Sequence, residues 1–249
     1  MNSGAYLTAS GMLVQMRKLD ILTNNFANIS TPGYKKDSSF LSVFSRALNT
    51  DQPDHEMISK VTNQTPFVAG TLTDFSQGIF RETGNSFDLS IEGDGFFVIN
   101  IPNGTAYTRN GALRVDKEGK LVTGSGYPVI GENGPIHLAE GDVKVGEDGT
   151  IKVNDQEMAK LKIVSISNKE ILMKYANGLF ISPQGENIKE EKSLASIKQG
   201  ELEGSNVEVM QELGTMIETF RAFETYQKIF QSITSDVDSR LIDHIGNVT

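Results

Sequence analysis

The stretch that decides the fold is residues 209–241, VMQELGTMIETFRAFETYQKIFQSITSDVDSRL. Apolar side chains recur in it at alternating steps of four and three residues, the heptad pattern of a helix that packs along a seam against another helix. Polar Gln227 and Thr234 fall on the same seam and weaken it. The seam positions that we take as candidate assembly residues are Val209, Leu213, Met216, Phe220, Phe223 and Phe230.

A second apolar stripe runs along the same helix, through Ile217, Ile229 and Ile233. The apolar surface is therefore wider than a two-helix seam requires, and such a helix needs more than one neighbour. Burying the seam side chains alone does not offset the conformational entropy that is lost when so long a segment is ordered. We expect both stripes to be covered, either by the middle of the chain or by other copies of it.

The N-terminal segment repeats the heptad pattern, and its candidate assembly residues are Met12, Met16, Leu19 and Phe26. Two heptad helices thus bracket the rest of the chain. The sequence predicts an α+β protein in which the N- and C-terminal helices pair as a coiled-coil stalk and carry an inserted antiparallel all-β domain. The alternative is that two amphipathic helices pack on one globular core.

The middle of the chain is typical of strands, because short apolar runs alternate with turn residues. Gly93-Asp94-Gly95, Asp148-Gly149 and Asn177-Gly178 are turn signals, and Asn110-Gly111 predicts a hairpin. The predicted division has four parts. These are the N-terminal helix (1–34), an irregular linker or arm (35–71), a β-rich domain (72–200) and the C-terminal helix (201–249).

The first helix has a clear end. Thr31 precedes a proline and is pushed out of the helical region, Pro32 fixes φ for a turn, and Gly33 can take a positive φ. Lys35 and Lys36 follow, and for such a basic pair the default expectation is a solvated helix edge. The alternative is a contact with an acidic neighbour or a lipid headgroup.

Composition excludes several classes of function. The chain has 249 residues, a net charge of -9 and no cysteine, so we expect neither nucleic acid as a partner nor a zinc thiolate site or catalytic thiol. Residues 1–15 carry no basic residue ahead of their apolar positions, and we therefore expect no cleaved signal peptide.

Reactive constellations are not recognisable in the sequence. His55, His137 and His244 have no second ligand at metal-binding spacing. The two Gly-x-Gly turns lack the third glycine and the following helix of a phosphate-binding loop. We predict no catalytic residue, no metal, no cofactor and no small-molecule substrate.

Three separated motifs resemble those of the bacterial flagellar rod and hook family. The N-terminal one is carried by Ala27, Asn28, Thr31, Pro32, Gly33 and Tyr34, and the central one by Gly93, Asp94, Gly95 and Phe96 followed by Tyr107-Thr108-Arg109-Asn110-Gly111. The C-terminal one comprises 202–207 and 216–224. The likeness covers the chain except for residues 37–70.

The resemblance implies a structural subunit of the drive shaft that joins the flagellar motor to the hook and transmits torque. It implies contacts with other copies, with proximal and distal rod subunits and with the flagellar export apparatus. It also implies a place in the periplasmic rod of the basal body, reached without signal-peptide cleavage. The chain is shorter than the hook protein and longer than the smallest rod components, which leaves two rod proteins of similar size as alternatives.

Two other classes of function stay open on the residues alone. A surface adhesin or binding module would use exposed aromatic residues of the β domain for a saturable ligand. An enzyme would need convergent polar groups in that domain. The heptad termini favour assembly over both, because neither rival needs wide apolar stripes at the two ends of the chain.

Overall fold

A computed structural model describes residues 3–45, 64–183 and 188–246. The chain forms two compact units. The helical unit is made of Met1–Ala27, Asp37–Asp74 and Glu208–Thr249, and the β unit is made of Asn28–Lys36 and Phe75–Val207. The predicted α+β class is confirmed. The two units cut across the predicted division. Residues 28–34 and 201–207, which were grouped with the helices, lie in the β unit, and residues 37–74 lie in the helical unit.

The helical unit consists of two long helices and a β ribbon. Helix α1 (Ser3–Ala27) packs against helix α2 (Val209–Gly246). The helices meet closely at Gly11, where an added Cβ would lie 2.7 Å from the Tyr226 ring. In the described part of the chain, no helix combines the length and the apolarity that crossing a membrane requires.

The ribbon contradicts the prediction of an irregular arm at residues 35–71. Strands β1 (Asp37–Ser45) and β2 (Gln64–Thr73) pair antiparallel over their whole length, with a bulge between Phe40 and Leu41. The pairing satisfies the backbone, and both strands pack on α1, so the ribbon does not need the apolar core that its sequence lacks. Within that arm the sequence also predicts a loop at residues 51–56, and these residues lie outside the described ones.

The β unit is built of short strands joined by tight turns, with three-residue 3₁₀ helices at Lys169–Ile171 and Ala176–Gly178. Its strands are β3 (Phe80–Glu82), β4 (Leu89–Glu92), β5 (Phe96–Ile101), β6 (Gly104–Thr108), β7 (Leu113–Val115), β8 (Leu121–Thr123), β9 (Ile130–Gly131), β10 (Gly134–Pro135), β11 (Val143–Val145), β12 (Thr150–Val153), β13 (Gln156–Lys160), β14 (Ile163–Ile166), β15 (Met173–Tyr175), β16 (Leu179–Ile181), β17 (Glu190–Lys192), β18 (Ser196–Gln199) and β19 (Glu201–Glu203).

An antiparallel sheet in the order β15-β16-β6-β5-β14-β17 forms the centre of the β unit. Side chains of β5 alternate between two apolar clusters, because successive residues of a strand point to opposite faces. Phe97 and Ile99 belong to the larger cluster, and Phe96 and Val98 to the smaller one. A three-stranded sheet, β11-β12-β13, and two-stranded ribbons surround this centre.

Two ribbons bring distant parts of the sequence together. Strand β18 pairs with β4, and β19 pairs with β3, so that the end of the β unit closes onto its beginning. Glu203 is thereby aligned with Phe80. This closure positions the site described below.

The turn signals have mixed outcomes. Asn177 and Gly178 have φ of 63° and 72° and connect β15 to β16, as their sequence predicts. The hairpin predicted at Asn110-Gly111 is wrong, because β6 pairs with β5 and β16 while β7 pairs with β8. Gly111 is instead needed for a close approach, since a Cβ there would lie 1.6 Å from the carbonyl oxygen of Leu89.

Candidate functional site

A buried ion pair lies where the N-terminal and C-terminal motifs meet in the β unit. Lys35 Nζ is 2.5 Å from Glu203 Oε1, and both side chains are 0% exposed. Lys35 also donates to the carbonyl oxygen of Ser76 at 2.6 Å, and the N–H of Gly78 donates to Glu203 Oε1 at 2.9 Å. Two buried charges are tolerated only when they are paired and hydrogen-bonded, as these are.

The central motif supplies a second cation. Arg109 Nη1 lies 3.4 Å from Glu203 Oε2, and Nη2 donates to the carbonyl oxygen of Gly93 at 2.8 Å. The guanidinium carbon sits 5.2 Å from the centre of the Phe96 ring, within the range of a cation–π contact. Asp94 is 3.7 Å from Nη2. We call Lys35, Asp94, Arg109 and Glu203 the buried charge cluster, although Asp94 itself stands at its half-exposed edge.

The protonation of the cluster follows from its surroundings. Burial lowers the pKa of the Arg109 guanidinium, and the attraction of Glu203 and Asp94 opposes that change. Arginine nevertheless stays charged at neutral pH. Burial also acts on Asp94, but hydrogen bonds from Lys169 and Ser165 outweigh it and hold the pKa of this carboxyl below its usual value. At neutral pH we therefore treat Asp94 and Arg109 as a charged pair.

The turn after α1 fits closely onto this cluster. Gly33 has a φ of 67°, and its N–H donates to the carbonyl oxygen of Glu203 at 2.8 Å. A Cβ at Gly33 would lie 2.4 Å from the carbonyl carbon of Arg109. Tyr34 is buried, and Lys174 Nζ lies 4.2 Å from the centre of its ring. Only glycine meets both demands at position 33, the positive φ and the close backbone approach.

The predicted motif residues largely converge on this site. Asp94 belongs to the buried charge cluster. Members of the cluster are contacted by Gly33, Gly93 and Phe96. Tyr34 directly precedes Lys35 in the chain, and its ring lies against Lys174. Thr31 donates to the Asn28 side chain at 3.2 Å and so stabilises the turn itself. The remaining motif positions are the half-buried Pro32, the buried Gly95 and Ala27, which ends α1 in the helical unit.

Several residues of the site escaped the sequence prediction. Lys35 is not a solvated helix edge but is fully buried. Glu203 and Arg109 lie inside motif stretches and yet were not singled out, and Lys174 lies outside those stretches. The sequence did contain one signal for Lys35, which directly follows the N-terminal motif and stands two residues after its Pro-Gly turn.

Of the ten predicted assembly residues of α1 and α2, five are exposed and five are half-buried. On α2, Val209, Leu213 and Phe220 are exposed, while Met216, Phe223 and Phe230 are half-buried. On α1, Met16 and Phe26 are exposed, while Met12 and Leu19 are half-buried. These side chains therefore do not form a closed seam within the chain.

A different face of each helix is buried. On α1 the buried positions are Thr8, Gly11, Val14, Ile21, Leu22 and Asn25, and on α2 they are Glu212 and Thr219. Exposed apolar residues line other faces: Tyr6, Leu7 and Leu13 on α1, and Met210 and Ile217 on α2. A monomer with such apolar helix faces has the features of a subunit that completes its packing in an assembly.

The cluster offers no reaction chemistry that we can identify, because its carboxylates are engaged by cations and lie among backbone hydrogen bonds. Within the described residues, no group of three or more possible metal-ligating side chains is found. The buried charges are paired and the apolar helix faces are exposed, and together these features indicate a structural assembly subunit.

Comparison with known proteins identifies the kind of assembly. Residues 6–35 match a family model described as flagella basal body rod protein, residues 90–153 match the flagellar hook protein FlgE/F/G D1 domain, and residues 198–239 match the flagellar basal body rod FlgEFG protein C-terminal region. None of these three models describes a catalytic domain.

Whole-chain relatives agree with the family models. The chain is 30% identical to the flagellar basal-body rod protein FlgF of Rhizobium meliloti over 99% of both chains. It is 29% identical to FlgF of Caulobacter vibrioides over 100% of both, and 32% identical to the rod protein FlgG of Bacillus subtilis over 93% of this chain and 94% of that one. The chain belongs to the flagellar basal-body rod protein family and is a FlgF-like structural subunit of the rod.

Proposed function

We propose that this subunit assembles into the rod through the exposed apolar faces of α1 and α2. The observation that carries the proposal is the mismatch between the apolar and the buried faces of α2. The face that is buried contains Thr219, whereas Met210, Ile217 and Phe220 are 84%, 55% and 52% exposed. A helix that exposes its largest apolar residues gains stability when another helix covers them, at about 1.5–3 kcal/mol for each side chain that becomes fully buried.

Copies stack side by side in this proposal, with α1 and α2 of one chain paired as a stalk and the stalks of neighbouring chains packed together. A contact that joins different patches on neighbouring copies does not close on itself, and it therefore generates a helical assembly. The partners are other copies and the proximal and distal rod subunits that carry similar terminal helices.

Torque transmission follows from the density of such packing. Close-packed side chains have low compressibility, so a tube of interlocked helices transmits a twist with little internal deformation. The function is then mechanical, and the chain works as a non-enzymatic element of the drive shaft. We place it in the periplasmic part of the basal body and propose that it reaches that place through the flagellar export apparatus, without cleavage of a signal peptide.

The position within the rod is proposed as that of FlgF rather than FlgG. Two relatives named FlgF, those of Caulobacter vibrioides and Rhizobium meliloti, align over 100% and 99% of this chain, which supports the proposal. Coverage alone does not decide it, because FlgF of Salmonella typhimurium aligns over 92% and FlgG of Bacillus subtilis over 93%. Complementation tests this directly. The gene should restore motility to a strain that lacks FlgF, and restoration only in a strain that lacks FlgG would reverse the assignment.

Replacing Phe220 with Asp tests the assembly face. The new charge would have to be desolvated at the contact with a neighbouring helix, so we expect loss of incorporation into purified basal bodies and loss of motility. The β unit should keep its circular dichroism spectrum, because Phe220 lies in the helical unit.

Thr225→Asp is the matched control for that experiment. Thr225 is also an exposed α2 residue, but it lies away from the stripe formed by Met210, Ile217 and Phe220. This variant should be incorporated and should swim normally. Normal incorporation of the Phe220→Asp variant would exclude this face as the assembly contact.

A further inference from the structure

The chain passes between its two units at four points, after Ala27, Lys36, Asp74 and Val207. Each passage has an adjoining segment in the β unit: residues 28–36, which serve the first two points, residues 75–78 and residues 203–207. These segments are far apart in sequence. In the β unit they are nevertheless held by the same few side chains.

Lys35, Glu203 and Asn206, which we call the junction, connect these segments. Lys35 binds both the carboxylate of Glu203 and the carbonyl oxygen of Ser76. Asn206 accepts from the N–H of Lys36 at 2.7 Å and donates to the carbonyl oxygen of Ser76 at 3.3 Å. Glu203 accepts two further hydrogen bonds. Its backbone carbonyl oxygen accepts from the N–H of Gly33, and its carboxylate accepts from the N–H of Gly78.

The shared hydrogen bonds of the junction tie the three connecting segments to one another, which separate linkers would not do. No segment can leave the junction without breaking a hydrogen bond of another, because Ser76, Glu203 and Asn206 each serve more than one partner. The ion pair at the centre is fully buried and therefore little screened by salt. Three flexible linkers would instead show independent, solvent-exposed backbones.

We propose that the junction is a coupling device that makes the connecting segments move as one, so that a load on any of them is shared by all. Lys35, Glu203 and Asn206 are positioning residues in this role. The mechanical meaning of the inference rests on the proposed function in torque transmission. The coupling itself does not, and it is measured on the isolated full-length protein.

Amide hydrogen exchange on the Asn206→Ala variant tests the coupling. The substitution directly removes the acceptor for the N–H of Lys36. If the segments are coupled, the amides of Gly33 and Gly78 should also exchange faster, by roughly fivefold to tenfold, the change that the loss of one typical hydrogen bond produces. Core amides of β5, such as that of Ile99, should keep their rates.

Asn85→Ala is the matched control, because Asn85 likewise bonds through its amide to a nearby side chain, that of Asp88, but has no contact with the junction. It should leave the amides of Gly33, Lys36 and Gly78 unchanged. Faster exchange at Lys36 alone in the Asn206→Ala variant would overturn the proposal, and so would an equal acceleration in β5, which would indicate general loss of stability.

A motility assay separates this inference from the proposed function. Cells that carry the Asn206→Ala variant should assemble rods but lose swimming speed disproportionately in viscous medium, where the load is high. If the Phe220→Asp variant still assembles into rods, the proposed assembly face is wrong, but the amide exchange result for the Asn206→Ala variant is unaffected. If the amides of the variant exchange in a coupled way but the cells swim at full speed in viscous medium, then the junction acts only in the free subunit, and its mechanical role is overturned.

Discussion

Replacing Glu203 with Leu is expected to lower the free energy of unfolding of the β unit by about 3–5 kcal/mol, the usual consequence of breaking a buried ion pair by removing one partner. Lys35 would lose its carboxylate partner at a position that is 0% exposed. Gly78 would lose the acceptor of its N–H, and Arg109 would lose a carboxylate 3.4 Å away. Urea denaturation followed by circular dichroism measures the change.

The double variant Lys35→Met with Glu203→Leu separates charge from packing. Apolar side chains of similar size can replace a buried pair with little loss, because they abolish the desolvation cost together with the attraction. We expect the double variant to regain more than half of the stability that the single variant loses. A double variant that is as unstable as the single one would show that the unpaired Lys35 is not the main cost, and that the lost partners of Arg109 and Gly78 or the change of shape dominate.

An exposed pair gives the matched control. Glu118 and Lys120 are 2.6 Å apart, but their side chains are 70% and 35% exposed. Glu118→Leu should change stability by less than about 1 kcal/mol, because surface pairs are well solvated. An equally small loss for Glu203→Leu would contradict the assigned importance of the buried charge cluster.

The broad plan of the chain was predictable because it depends on local patterns. Heptad spacing marks α1 and α2, alternation marks the segment of β4, and a short continuous apolar run marks β5. The α+β class follows from the order of these elements. The turn at Thr31-Pro32-Gly33 was predictable for the same reason, because proline and glycine restrict the backbone independently of the rest of the fold.

The buried charge cluster could not be derived in the same way. Lys35 and Glu203 are 168 residues apart in sequence, and no local pattern reports a pairing over that distance. A lysine is almost always exposed, so its burial depends on a partner that only the folded chain supplies. Glu203 lies in the C-terminal motif and Lys35 directly follows the N-terminal one, but the motifs gave no reason to connect the two residues.

The predictions for Asn110-Gly111 and for the segments of β1 and β2 failed for the opposite reason. Here a local sequence signal was present, but tertiary contacts overrode it. Asn110 caps its own turn by accepting from the N–H of Ala112 at 3.0 Å, so that the chain leaves β6 without returning along it. In the ribbon, a polar sequence is held by α1. Tertiary contacts decide such marginal elements.

The predicted heptad seam is only partly buried in the single chain. Apolar spacing locates the face that has to be covered, but it does not say which molecule covers it. In this chain the contact between α1 and α2 is made at Gly11, a small residue that permits close approach to Tyr226. Phe220 stays exposed. We therefore expect the sequence periodicity to describe the contacts of the assembled rod rather than those of the single chain, and the Phe220→Asp experiment tests this.

Gly33→Ala is expected to produce the second large effect. Two costs add at this position. An alanine held at a φ of 67° costs about 1–2 kcal/mol, and its Cβ would lie 2.4 Å from both the carbonyl carbon of Arg109 and the nitrogen of Asn110. Overlap with backbone atoms is not relieved by a rotamer change and costs about 1–3 kcal/mol more.

Gly126→Ala isolates the first cost from the second. Gly126 has a φ of 86°, and a Cβ there would meet no atom within 4 Å. This variant should therefore lose only the conformational share, about 1–2 kcal/mol. Urea denaturation of both variants gives the steric share as the difference. Equal losses would mean that the turn yields freely and that its fit onto Arg109 is not tight.

The Gly33→Ala substitution should also affect the rod, because it displaces the turn that contains Gly33. Relief of the overlap must displace Gly33 from Arg109, and this stretches the hydrogen bond from Gly33 to the carbonyl oxygen of Glu203. Lys35 follows two residues later, so the ion pair with Glu203 is disturbed as well. We therefore expect Gly33→Ala to impair motility strongly and Gly126→Ala to leave it nearly normal, because only the first substitution reaches the buried charge cluster.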